Sequence, residues 1–118
     1  MELNIKHAIA EGINFITVRP ESGEKVDIPY KPKKLSVDEV SEGRMLELVN
    51  AERAKVGAKP LKVDSTIVLV ARAHSQDMWE RGYFSHANPD GESPADRMAR
   101  GGVKFIVAGE NLALAPTV

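Results

Sequence analysis

Ala71-Arg72-Ala73-His74-Ser75-Gln76-Asp77-Met78-Trp79-Glu80-Arg81-Gly82-Tyr83-Phe84-Ser85-His86 reads as the end of a helix, a glycine stop and a short aromatic exit. Its apolar face starts further back: Ile67, Val70, Ala71, His74 and Met78 fall at i, i+3, i+4, i+7 and i+11, the spacing of one buried helix stripe. Asp64 stands where an N-cap belongs and Gly82 where the chain must leave the helix, so the pattern predicts a helix over 64–82.

Downstream, 85–92 is rich in Gly, Pro, Asn and Asp and reads as a loop. Ser93-Pro94-Ala95-Asp96 then opens a short helix to Arg100, with Ser as cap and Pro at the first helical position, and Gly101-Gly102 ends it. Residues 103–107 are β-prone and predict a strand, after which Gly109-Glu110-Asn111 interrupts the pattern before Leu112-Ala113-Leu114-Ala115.

Upstream, Ser36 and Glu39 have capping-box spacing and predict a first helix to Val56, stopped by Gly57. Met45, Val49, Glu52 and Val56 share one stripe of it and Leu46, Val49 and Arg53 the next, while Gly43 weakens its first turns. The texture changes before Leu35. Residues 13–18 and 25–30 favour strands around a 20–24 turn, a β-hairpin, preceded by a possible short helix at 3–11. Pro29, Pro32, Lys31, Lys33 and Lys34 form a stiff, solvated connector. An isolated hairpin is marginal in water, so this one is expected to dock on something. The division is 1–35 and 36–118, and the class is α+β.

With 118 residues, 42% of them apolar, the chain has material for one core. It carries 16 basic and 17 acidic residues and no basic block beyond the three connector lysines, which argues against nucleic acid as a partner. The absence of cysteine excludes disulfides, thiolate nucleophiles and cysteine metal sites. The longest aliphatic run, 67–71, falls far short of a membrane span, and the first residues lack a signal-peptide pattern.

Six local strings then fall in order: Leu48-Val49-Asn50-x-x-Arg53, Pro60-Leu61, Ala71-x-x-His74-Ser75-x-Asp77-Met78, Tyr83-Phe84-Ser85-His86, Asp90-Gly91-x-Ser93-Pro94-x-Asp96-Arg97-Met98 and Ala108-Gly109-Glu110-Asn111-Leu112-Ala113. Together they closely resemble the bacterial branch of the CAP superfamily, the SCP-like or cysteine-rich secretory, antigen 5 and pathogenesis-related 1 proteins. The resemblance covers 44–118. It implies an α-β-α sandwich, usually exported or held at the cell surface, with a cleft lined by two histidines and two acids that hold a divalent metal such as zinc in some members. His86 matches the Phe-Ser-His histidine and Glu110 the Gly-Glu-Asn acid; the second histidine and acid of the family lie in segments C-terminal to Val118. The sandwich is therefore expected to be C-terminally incomplete, because this chain is a fragment, because a partner supplies strands, or because the N-terminal hairpin docks near 103–107 in their place. The fragment is the favoured resolution.

On the residues alone, a His in a Gly/Asn/Pro-rich loop and a Glu beside a Gly make two metal ligands or an acid–base pair if the fold joins them. Two ligands are too few for tight zinc, and His74, Asp90 or Asp96 would have to contribute. The bland alternatives are a loop-ordering His86 bonded to a carbonyl or to Glu110, and a Glu110 that accepts backbone N–H bonds, with Asn111 in a structural role. His74 reads as a satisfied core histidine, Trp79 as packing at a helix edge and His7 as solvent-exposed. Arg97 pairs with Glu110 or Asp77 or is solvated at the surface, the last being expected. None of Ser75, Ser85 and Ser93 sits in a Gly-x-Ser-x-Gly turn, so a serine triad is not expected.

The leading expectation is a non-enzymatic extracellular or cell-envelope module that binds a small molecule, lipid, glycan or peptide in a cleft lined by His86, Glu110, Asn111 and Arg97. One alternative is a metal-assisted hydrolase of peptide or cell-wall substrates, with His86 and Glu110 on the metal and Glu110 as base. The other is an interaction unit that self-associates by recruiting a strand to an open sheet edge.

Overall fold

A computed structural model describes residues 26–27 and 34–114. Its elements are β1 (Val26–Asp27), α1 (Glu39–Lys55), α2 (Ser65–Arg81), β2 (Tyr83–Phe84) and α3 (Pro94–Arg100). The expected hairpin arm at 13–18 and helix at 3–11 lie outside the described residues.

Both later helices begin and end where local chemistry places them. Asp64 Oδ1 accepts the Thr66 and Ile67 amides at 2.9 and 3.1 Å, and Gly82 leaves α2 at φ 70°, a left-handed turn that costs glycine nothing. At α3, Ser93 and Asp96 form a reciprocal capping box and Pro94 occupies the first turn. The entry to α1 differs from expectation. Its N-cap is Asp38, not Ser36, because the Asp38 carboxylate accepts both the Ser41 amide at 2.9 Å and the Ser41 hydroxyl at 2.7 Å. A negative charge at a helix N-terminus also meets the helix dipole favourably.

Polar clamps hold α1 in place. Arg72 of α2 grips Glu42 through two bonds of 2.9 and 2.5 Å. Asn50 brackets the backbone of Leu61, donating to its carbonyl at 3.0 Å and accepting its amide at 2.7 Å, and Arg53 donates to the Lys59 carbonyl. The connector thus folds back along α1. The predicted apolar stripes of α1 are not buried, however: no residue of this helix is buried, and Met45, Leu48 and Val49 are exposed.

The core sits at the C-terminal half of α2. Met78, Tyr83 and Phe84 are its buried apolar residues, with Leu112 and Leu114 packed against them. Of the predicted α2 face, His74 and Met78 are buried and Val70 half-buried, whereas Ile67 and Ala71 are exposed. α3 returns close to α2: a Cβ at Gly101 would stand 2.5 Å from Val70 Cγ2, which explains a glycine at this crossing.

β1 and β2 pair antiparallel, with Val26 opposite Phe84 and Asp27 opposite Tyr83. The 25–30 segment therefore contributes a strand, but its partner is the aromatic exit of α2 and not the region near 103–107. That region is not a strand. The Val103 amide caps α3 by donating to the Met98 carbonyl, and Phe105, Ile106 and Val107 are exposed. β-propensity measures fit to a paired, half-buried surface, and among the described residues nothing pairs with 103–107. No described helix is long and apolar enough to cross a membrane.

Asn50→Ala removes both bonds to Leu61 and is expected to destabilise the fold by about 1–2 kcal/mol. A urea midpoint equal to wild type would show that the bracket contributes nothing.

Candidate functional site

The glycine stop after α2 sends Tyr83 and Phe84 into the core and delivers Ser85 and His86 behind them, both buried. The 88–92 loop then turns tightly around Asn88. Its Oδ1 accepts the Asp90 and Glu92 amides, its Nδ2 donates to Glu92 Oε2 at 2.7 Å, and Gly91 closes the turn at φ 84°. This local wrap fixes the entry to α3 and hence the position of Arg97.

Arg97 lies one helical turn after the Ser93 cap and points inward, with its side chain only 4% exposed. Nη1 donates to the His86 carbonyl at 2.6 Å and the Glu92 carbonyl at 3.3 Å, and Nη2 donates to Glu110 Oε2 at 2.6 Å. The other oxygen of Glu110 accepts His86 Nδ1 at 2.8 Å. His86, Glu110 and Arg97 thus form one chain of charge-assisted hydrogen bonds, buried at the histidine and the arginine and half-buried at Glu110. Arg97 is not solvated at the surface, as the sequence suggested, and of its two candidate partners it takes Glu110. Asp77 instead pairs with Arg81 at 2.7 and 2.8 Å and accepts the Tyr83 hydroxyl. Arg81 holds the Asp77 carboxyl below its usual range, and burial, then Asp77, pushes the Tyr83 phenol up.

His74 completes the cluster from α2. Its Nε2 is 2.9 Å from the Ser85 carbonyl, which can only accept, so Nε2 carries the proton and Nδ1 is left as an acceptor. Nδ1 has no hydrogen-bond partner among the described residues, and neither does Arg97 Nε. Burial lowers the His74 pKa, the charge of Arg97 lowers it further, and Glu110, 4.0 Å away, pulls against both. His74 is thus a core histidine, but one satisfied on a single side.

A groove of about 870 Å³ runs between α2 and α3, walled by Leu69, Val70, Ala73 and Gly101 and reached by His74 and Arg97. His86 and Glu110 do not line it; they stand behind Arg97. Asn111 is exposed and makes no side-chain hydrogen bond to another described residue. Of the expected cleft set, the fold joins His86, Glu110 and Arg97, opens only Arg97 to the groove and leaves Asn111 apart. Two participants were missed: His74, whose stripe position signalled burial and nothing more, and Asn88, for which the Asn-Pro-Asp-Gly string was a readable turn signal.

The described residues around His86 and Glu110 do not by themselves make a divalent-metal site. Among the described residues no three His, Asp or Glu side chains converge as a metal centre requires. Both Glu110 oxygens are taken by hydrogen bonds, and the guanidinium 2.6 Å from one of them opposes a second cation. Neither Ser85, which is buried, nor Ser93, which caps α3, is arranged as a nucleophile.

The cysteine-rich secretory protein (CAP) family matches residues 46–116. Two relatives from Bacillus subtilis (strain 168) are similar to the chain. The uncharacterized protein YkwD is 49% identical over 101 residues, which is 85% of this chain and 38% of its own length. The uncharacterized membrane protein YlbC is 40% identical over 89 residues, 70% of this chain and 26% of its own length. The chain therefore spans well under two thirds of either relative. No solved structure matches significantly.

Glu110→Ala leaves a buried guanidinium without its counterion and is expected to cost about 3 kcal/mol or more in urea unfolding, whereas Asn111→Ala should stay within about 0.5 kcal/mol. Equal effects would refute the assignment of Glu110 to the cluster. The depressed His74 pKa has a signed consequence. The unfolded chain takes up the proton first, so this contribution to stability is intact above His74's ordinary value of 6.5 and is lost as pH falls below it. Denaturation midpoints should decline from about pH 7.5 to about pH 5 in wild type and decline less in His74→Gln; parallel profiles would exclude His74 as the source.

Proposed function

Because the chain belongs to the CAP family of cysteine-rich secretory proteins, we propose that it is a ligand-binding module, with the groove between α2 and α3 as its binding surface. It is read as part of an α-β-α sandwich in a longer extracellular or cell-envelope protein. The length of the relatives and the printed description of YlbC as a membrane protein are in keeping with that setting.

The observation that carries the reading is the placement of Arg97. A buried cation held by two carbonyls and a carboxylate reaches the inner wall of a groove whose size suits a small ligand. His86 and Glu110 support that wall from behind. Binding is favoured over hydrolysis because the chemically capable groups are spent on one another: Glu110 on His86 and Arg97, Asp77 on Arg81 and Tyr83. A carboxylate held by an arginine and a histidine is a weakened base, and with no nucleophile beside it among the described residues it has little to offer a reaction.

Amide-resolved NMR of the chain against a mixed library of small organic molecules tests this. Saturable shifts are expected to cluster at Val70, Ala73, Arg97 and Gly101 and to weaken severalfold in Ala73→Trp, which fills the groove from its exposed wall. Shifts scattered over the surface, or confined to a different face, would reject the groove as the site.

A further inference from the structure

The groove's charge and its two unpartnered nitrogens specify what kind of ligand it takes. Three acidic residues line it, Asp77, Asp90 and Glu92, and three basic ones, Arg81, Arg97 and Arg100. Each is already paired: Arg81 with Asp77 and Asp90, Arg100 with Glu92, and Arg97 with Glu110 behind the wall. His74 adds no charge near neutral pH, because burial and Arg97 lower its pKa. With every charge there balanced by a neighbour, the groove has no uncompensated charge to attract an ion, so it favours an uncharged ligand.

Two residues of the inner wall have polar atoms that no other described residue satisfies. His74, 2% exposed, offers the acceptor Nδ1, and Arg97, 5% exposed, offers the donor Nε–H. Buried polar groups without partners are rare, and each one calls for a ligand, a water or a functional explanation. One acceptor and one donor match a secondary amide, whose carbonyl accepts and whose N–H donates. Both nitrogens are covered by the surrounding side chains, so uptake of an amide requires the imidazole or the guanidinium stem to turn outward, and the new bonds offset that motion. Besides these groups the lining has the polar Thr66 and Asn88 and an aliphatic patch of Leu69, Val70 and Ala73, and His74 is the only aromatic ring among the lining residues. A sugar ring would find no broad aromatic face to stack on; an aliphatic side chain would find a matching surface.

Resting on the reading of the groove as a ligand site, we propose that it binds an uncharged peptide segment, with one backbone amide bridging His74 Nδ1 and Arg97 Nε and an aliphatic side chain against Val70 and Ala73.

The test titrates the chain with acetyl-Ala-Leu-Ala-methylamide while following the side-chain nitrogen resonances of His74 and Arg97. Saturable shifts of both nitrogens are expected, with affinity reduced about tenfold or more in Ala73→Trp and severalfold when Asp or Lys replaces the central residue of the peptide. Ala73 is exposed and lies outside the buried cluster, so this variant keeps the fold, as circular dichroism will verify. Peptide titration that moves neither nitrogen overturns the proposal, as does N-acetylglucosamine moving both equally well. If other small molecules fill the groove while the peptide does not, the peptide assignment alone fails. If nothing fills it, the ligand-binding reading fails with it.

Discussion

Everything around the site depends on one buried guanidinium. Arg97 carries a permanent charge into a position 5% exposed, where a lone cation would be prohibitively costly. The fold pairs both of its Nη groups by converging three segments on it: the exit of β2 through the His86 carbonyl, the Asn88 loop through the Glu92 carbonyl, and the 110 region through Glu110. Each of these segments is irregular and has little regular hydrogen bonding of its own. The arginine substitutes for a sheet or helix in fixing their relative positions, and it does so with planar, directional donors that a lysine could not reproduce.

This arrangement compensates for a small apolar core. Met78, Tyr83 and Phe84 are the buried apolar residues among those described, and they gather at one end of α2. The other end is occupied by polar clamps, Glu42 with Arg72 and Asn50 with Leu61. Such clamps fix direction well but stabilise modestly when exposed. The cluster around Arg97 is buried and fully directional, and the result is a molecule whose order is concentrated around α3, β2 and the lower half of α2.

What was legible in the sequence is what short-range chemistry decides. Asp64, Gly82 and the Ser93-Pro94-x-Asp96 string act within three residues of themselves, so their roles survive any tertiary context, and the helices they bound stand where they were expected. The choice between Ser36 and Asp38 as cap turned on a second donor, the Ser41 hydroxyl, that spacing alone does not weigh. Strand β2 and the ragged 103–107 segment were illegible for a single reason, since a strand exists only where a partner lies beside it, and partners are chosen at long range. For the site, His86 and Glu110 were found through the family strings. The burial of Arg97 was not, because its neighbours in sequence are those of a surface helix while its partners lie 11 and 13 residues away.

α1 has a consequence of its own. A helix of 17 residues with no buried side chain, tethered by Glu42 and Asn50, loses few apolar contacts when it detaches, whereas opening α3 breaks the bonds of Arg97 to two carbonyls and to Glu110 together. The backbone amides of the two helices therefore belong to different cooperative units, with α1 exchanging with solvent through cheap local openings and α3 only when the Arg97 web opens as a whole. Among the described elements there is thus a hierarchy of lability, in which the first helix is the loosest and the backbone around Arg97 the most persistent.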